Sequence, residues 1–111
     1  MTVTLTRQAF RDIDRWMYRN ARPLDLARWR YHFADGVDAA GACDEVLRAL
    51  AAYQNKDGGI GHALEADSWN PHSTPIQCGT AIGVLREIGW SAPDHAVVQG
   101  LLRYLDSGAE L

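Results

Sequence analysis

The chain has 111 residues, a net charge of −3 and a hydrophobic content of 47%. That length suits one small domain, and the composition is that of a globular chain rather than a disordered one. The acidic balance argues against nucleic acid or an anionic membrane as main partner, since either needs a basic face.

No stretch is long and apolar enough to span a bilayer, and residues 1–10 lack the basic region and apolar run of a signal peptide. Cys43 and Cys78 have no metal-type spacing and fall within apolar helical patterns. They read as buried free thiols in a reducing, cytoplasmic setting.

Ala9, Phe10, Ile13, Trp16 and Met17 recur at helical spacing between charged positions, which predicts an amphipathic helix over 6–19. Pro23 interrupts the pattern. Asp25 reads as the cap of a short second helix carrying Leu26, Trp29 and Phe33, with Gly36 at its stop. A third helix is predicted over 38–54, with Ala39, Cys43, Val46, Leu47, Leu50 and Tyr53 as its apolar stripe. Asp44 and Arg48 can pair on its opposite face.

Residues 55–73 have no helical periodicity. Connections that long in a small domain are often functional. Thr74, Pro75 and Gln77 then form a capping box with proline at the first helical position, which opens a fourth helix. Ile76, Thr80, Ala81, Val84, Leu85 and Ile88 are expected to face inward, and Gly79 and Gly83 could admit another backbone. Gly89 suits a left-handed stop, with Trp90 folding back on Leu85. Ser91 or Ala92 is expected to cap a fifth helix with Pro93 and Asp94 in its first turn. Its apolar face would be Val97, Val98, Leu101, Leu102 and Leu105, and Ser107-Gly108 its end.

Val46, Leu47, Leu50 and Tyr53 recur as Val97, Val98, Leu101 and Tyr104, each 51 residues later. Agreement in spacing and residue type suggests repeated units. The fold class is therefore all-α, about five helices stacked as antiparallel hairpins in a single domain.

The stretch Tyr53-Gln54-Asn55-Lys56-Asp57-Gly58-Gly59-Ile60-Gly61 resembles the Gln-x-x-Asp-Gly-Gly-aromatic repeat of the squalene/terpene cyclases and protein prenyltransferases. Asn20-Ala21-Arg22-Pro23-Leu24-Asp25 and Ala63-Leu64-Glu65-Ala66-Asp67 resemble motifs of bacterial proteins of the same superfamily. Ile60 stands where an aromatic is usual, and Ala66 where proline is expected. The resemblance covers about residues 20–89. It implies part of an (α/α) toroid, whose twelve helices in two rings five cannot close. The expectation is a portion of a longer protein, or a short version that covers its open edges by self-association into a homo-oligomer. The resemblance also implies an apolar, prenyl or terpenoid substrate.

The chemistry falls into two groups. Gln54, Asp57, Gly58 and Gly59 read as structural, a turn tied by the aspartate to loop amides, with Gln54 bonded to a neighbouring helix terminus. The family resemblance assigns this motif the same packing role. Glu65 and Asp67 are the candidate catalytic acids, because two nearby carboxylates can differ in pKa and leave one as proton donor. The alternative is a solvated loop whose acids bond amides or arginines. His62, Trp69 and His72 flank them as candidate substrate contacts, with Trp69 either lining a cavity or plugging helix ends. The histidines with Asp67 match no metal-ligand spacing, so neither a metal nor another cofactor is expected. Two functions remain open, an acid/base enzyme on a prenyl-type substrate and a non-catalytic helical-repeat module that self-associates or packs on a partner chain.

Overall fold

A computed structural model describes residues 4–89 and 94–108. Among them are five helices, α1 (Arg7–Asn20), α2 (Pro23–Phe33), α3 (Ala39–Ala51), α4 (Pro75–Glu87) and α5 (Ala96–Asp106). No strand occurs among the described residues, only an isolated bridge between Gln54 and Ile60. None of these helices is long and apolar enough to cross a membrane.

Side-chain caps set most of the helix starts. Thr6 accepts from the Ala9 amide at 3.0 Å, Asp38 from Gly41 at 2.5 Å and Thr74 from Gln77 at 3.2 Å. Each satisfies an amide that the first turn leaves without a helical partner. Asp25 is not a cap. Pro23 takes the first position of α2, and Asp25 sits in the first turn, paired with Arg22 at 2.8 Å and Arg28 at 3.4 Å. The fifth helix begins later than expected, with His95 as its cap and Asp94 ahead of it. The readings placed on Trp90, Ser91, Ala92 and Pro93 lie outside the described residues. Helix α3 ends at Ala51, three residues before Gln54. Positive φ at Gly89 and Gly108 closes α4 and α5.

Consecutive helices run back and forth. Phe10 of α1 stacks on Trp29 of α2 at 5.6 Å, and Asp14 accepts from the Trp29 indole at 2.7 Å. Arg30 of α2 pairs with Glu45 of α3 at 2.9 Å. The Cys43 thiol near the start of α3 reaches the Ile88 carbonyl at the end of α4 at 3.5 Å. These contacts join late residues of one helix to early residues of another, which makes α2–α3 an antiparallel hairpin. Helix α5 runs from His95, which lines a cleft together with Ile88, to Tyr104, beside Gly59, and packs on α3.

One core joins α2 through α5, while α1 buries no residue of its own. Leu24, Val46, Leu50, Cys78, Ala81, Leu85, Val97 and Leu101 are buried, with Ile60 and Leu64 added from the long loop. Burying a side chain of that size contributes about 1.5–3 kcal/mol. The residues at the 51-residue spacing are buried in both helices, except that Tyr53 is half-buried.

Several apolar residues expected inside are outside. In α4 Ala81, Val84, Leu85 and Ile88 are buried as expected, but in its first turn Gln77 and Cys78 are buried while Ile76 is 75% exposed. Ala39, Leu102 and Leu105 are exposed, and Trp16 of α1 is 59% exposed. A Cβ built at Gly79 or Gly83 meets nothing within 4 Å, so no backbone among the described residues approaches either glycine.

Candidate functional site

The loop between α3 and α4 has two parts, which differ in what their polar groups bond. The first is a clasp. Asn55 and Gly59 close a tight turn, with the Gly58 amide on Asn55 O at 3.0 Å and the Asn55 amide on Gly59 O at 2.8 Å. Asp57 accepts from the Gly59 amide at 2.9 Å and from the Ser73 hydroxyl at 2.7 Å. Those donors, the Ser73 hydroxyl foremost, favour the carboxylate and hold its pKa below the usual range. Asn55 Nδ2 donates to Ser73 Oγ and to Pro71 O, both at 3.0 Å, tying the end of the loop to its start. The Gln54 amide group donates to Gly58 O at 2.9 Å and to Val97 O in the first turn of α5 at 3.0 Å. A Cβ at Gly58 would stand 1.9 Å from Gly100 O, so glycine is what lets the turn touch the α5 backbone. Gln54, Asp57, Gly58 and Gly59 therefore join α3, α4 and α5.

The second part, residues 62–72, begins with strained backbone. His62 and Ala63 both have positive φ, 58° and 61°, which non-glycine residues rarely adopt. Long-range bonds surround this turn. The Arg22 guanidinium donates to Ala63 O at 3.2 Å and Leu64 O at 2.9 Å, and the His62 amide donates to Asn70 O at 3.0 Å. Gln77 is fully buried, accepts from the Leu64 amide at 3.0 Å and donates to Asn70 O at 3.5 Å. The capping box at α4 is thus only half made. Thr74 caps, but its own amide goes to Ile60 O, and Gln77 turns into the loop.

None of the predicted site residues lines the clefts described among the residues of the structure. Glu65 and Asp67 are exposed in the turn closed by the Ser68 amide on Glu65 O at 2.9 Å. The Glu65 carboxylate accepts from the Thr80 hydroxyl of α4. Asp67 makes no side-chain bond among the described residues. His62 is exposed, its Nε2 at 2.7 Å from Asn55 Oδ1. His72 is exposed, and only its backbone amide is tied, to Asn70 Oδ1 at 3.0 Å. Trp69 is 85% exposed, so it neither plugs helix ends nor lines a pocket wall. Bonding on both sides of it, Ser68 to Glu65 and Asn70 to Gln77, leaves its side chain on the outer surface. Among the described residues no group of three His, Cys, Asp or Glu side chains is placed to hold a metal ion.

Sequence reasoning gave no role to Arg22, gave Thr80 only an inward place on the fourth helix, and gave Gln77 only a capping one. A glutamine one position after an exposed isoleucine, on an otherwise apolar face, is the signal that could have found Gln77. Arg22 precedes Pro23 in a quoted motif, but its targets are carbonyls 41 and 42 residues away, which no local pattern reveals. A cleft of about 540 Å³ also lies elsewhere, lined by Tyr31, Cys43, Leu47, Ile88, Asp44 and His95 among others.

The molecule is thus an all-α stack of helical hairpins with a polar clasp in its longest loop. Comparison with protein-family models, with curated proteins and with solved structures finds no match to the chain.

Proposed function

We propose that this chain is a non-catalytic α/α-repeat module that works by packing, built on the hairpin plan of the terpenoid cyclase and prenyltransferase-like proteins it resembles. The observation that carries this reading is the placement of the loop carboxylates. Glu65 is bonded to Thr80, while Asp67 and Trp69 stand on open surface. General acid catalysis needs an acid in reach of a held substrate, and holding an apolar substrate needs a concave apolar wall. The polar side chains of the clasp direct their bonds to the Val97 carbonyl of α5, to loop backbone and to the Ser73 hydroxyl, which is packing work. The apolar residues left outside, Ile76, Leu102, Leu105 and Trp16, suit contact with further helices.

The test is a pair of isosteric substitutions, Glu65→Gln with Asp67→Asn, assayed by thermal melting with and without a prenyl alcohol such as farnesol. The expected result is a melting temperature within about 2 °C of the parent, since exposed substitutions change stability by about 0.5 kcal/mol or less. The alcohol is expected to leave both proteins unaffected. A prenyl ligand that raises the melting temperature of the parent and not of the variant would establish the enzyme-type reading instead.

A further inference from the structure

Helix α1 carries a basic ridge that no acid among the described residues pairs with. Arg7, Arg11, Arg15 and Arg19 follow at intervals of four, so they form one continuous row along the helix. None of the four makes an ion pair among the described residues. The two acids of the helix are engaged otherwise, Asp12 by Gln8 at 2.9 Å and Asp14 by Trp29. Like charges at that spacing weaken an isolated helix by a few tenths of a kcal/mol per pair. Arg15 and Arg19 flank the exposed Trp16 around a shallow surface hollow, and Ile13 and Leu5 are exposed on the same helix and its lead-in.

The opposite character occurs at the start of α4. Glu65 lies on Thr80, one turn beyond the exposed Ile76, so the carboxylate and the isoleucine share the outer face of α4. Asp67 and the exposed Trp69 adjoin in the same loop. Charge divides the same way over the chain. Four arginines against two aspartates make α1 +2, which leaves −5 for the remainder of a chain whose total is −3.

We infer that α1 of one copy docks on the α4 and loop face of a second copy, the arginine ridge against Glu65 and Asp67 and Trp16 against Ile76 and Trp69. This rests on the packing reading above and names its partner. The two helices match in length, 14 and 13 residues, or about 20 Å each. A basic amphipathic helix could instead lie on an anionic bilayer. The −5 of the remaining chain opposes that approach, whereas it attracts the helix of a second copy.

The experiment is light scattering on the whole chain across concentration and salt, with two charge-reversed variants. One carries Arg11→Glu, Arg15→Glu and Arg19→Glu, the other Glu65→Lys and Asp67→Lys. The parent is expected to rise to at least twice its 12.3 kDa chain mass and to dissociate as salt increases, its affinity falling about tenfold or more between low and high salt. Each variant alone is expected to stay at the chain mass, and their equimolar mixture to recover the larger species. Circular dichroism of each variant checks that it folds, and the salt dependence of the parent tests the contact without any substitution. A parent that stays at 12.3 kDa at every concentration overturns the proposal, as does a mixture that fails to associate when both variants are folded. Binding of the parent to phosphatidylserine vesicles, lost in the arginine variant, with no self-association, also overturns it. A prenyl ligand dependent on Glu65 and Asp67 would remove the packing reading and leave the masses unaltered, so the two failures are distinguishable.

Discussion

Replacing Gln77 by leucine removes one polar side chain that organises the loop, at nearly constant volume. Gln77 is fully buried, and its Oε1 is the acceptor for the amide of Leu64, itself buried. In the leucine variant that amide loses its partner inside the protein. Leaving a buried donor unsatisfied costs about 1–3 kcal/mol. The Asn70 carbonyl loses a donor at 3.5 Å, but Asn70 is exposed and water can replace it, so that part adds little. For a domain of this size, about 1 kcal/mol corresponds to about 4 °C in melting temperature. Gln77→Leu should therefore melt about 4–12 °C below the parent, and the Leu64 amide should exchange its hydrogen much faster while amides of α3 keep their relative protection. Gln77→Glu sharpens the assignment. It keeps an acceptor for Leu64, but burial disfavours the ionised form, so its folded pKa rises above the unfolded value. Its stability is then retained at acid pH and lost as pH rises through the folded pKa. Circular dichroism melts at several pH values read both effects. A leucine variant melting within 2 °C of the parent, with Leu64 exchange unaltered, would refute the reasoning.

Gly58→Ala should cost more than 2 kcal/mol, because its φ is +90° and the new Cβ would meet a backbone oxygen of α5 at 1.9 Å; chemical denaturation measures it. Ala63→Gly should be neutral or stabilising by up to about 1 kcal/mol in the same assay, since φ there is already +61°. Arg28→Ala should lower stability by about 1 kcal/mol at neutral pH and make it less sensitive to acid. The reason is that Glu87, held below its usual pKa chiefly by the Arg28 bonds at 2.8 and 3.0 Å, stabilises above its unfolded pKa. That contribution is lost as pH falls through the folded value, and denaturation curves across acid pH show it. Trp69→Ala should leave the melting temperature within about 2 °C, as its side chain is 85% exposed.

What could be read from the sequence was what is local. Thr74 announces its helix because a cap acts over three residues, and Gly89 and Gly108 announce helix ends because a left-handed stop favours glycine. Asp25 was misread for a related reason: an acid near a helix start is favourable in the first turn as well as at the cap, and Pro23 takes the first helical position. Only the first turn of α4 was misread, because Ile76 is apolar and Gln77 polar, and burial there follows hydrogen-bond supply instead. The clasp was legible as a turn from its glycines, whereas its partners Ser73 and Val97 lie 16 and 43 residues off. Trp69 was read as lining a cavity or plugging helix ends. Nothing in its own neighbourhood states that bonding on both sides leaves it on the outer surface.

The division within the loop bears on where recognition can occur. Arg22, Gln54, Asn55 and Gln77 all direct polar atoms at carbonyls or amides of other segments. Groups fixed in that way are poor donors or acceptors for a ligand, because any new bond must first break one that supports the backbone. Among the polar and aromatic side chains of residues 62–72, those without such duties are Asp67, Ser68, Trp69 and His72, and all but the half-buried Ser68 are exposed. An inward-facing catalytic centre would require the reverse arrangement, with reactive groups turned to an interior and structural ones outside. Recognition by this loop is therefore recognition at a surface. An aromatic and an acid presented side by side suit a partner that offers apolar area together with cations, as the Trp16 and arginine face of α1 does.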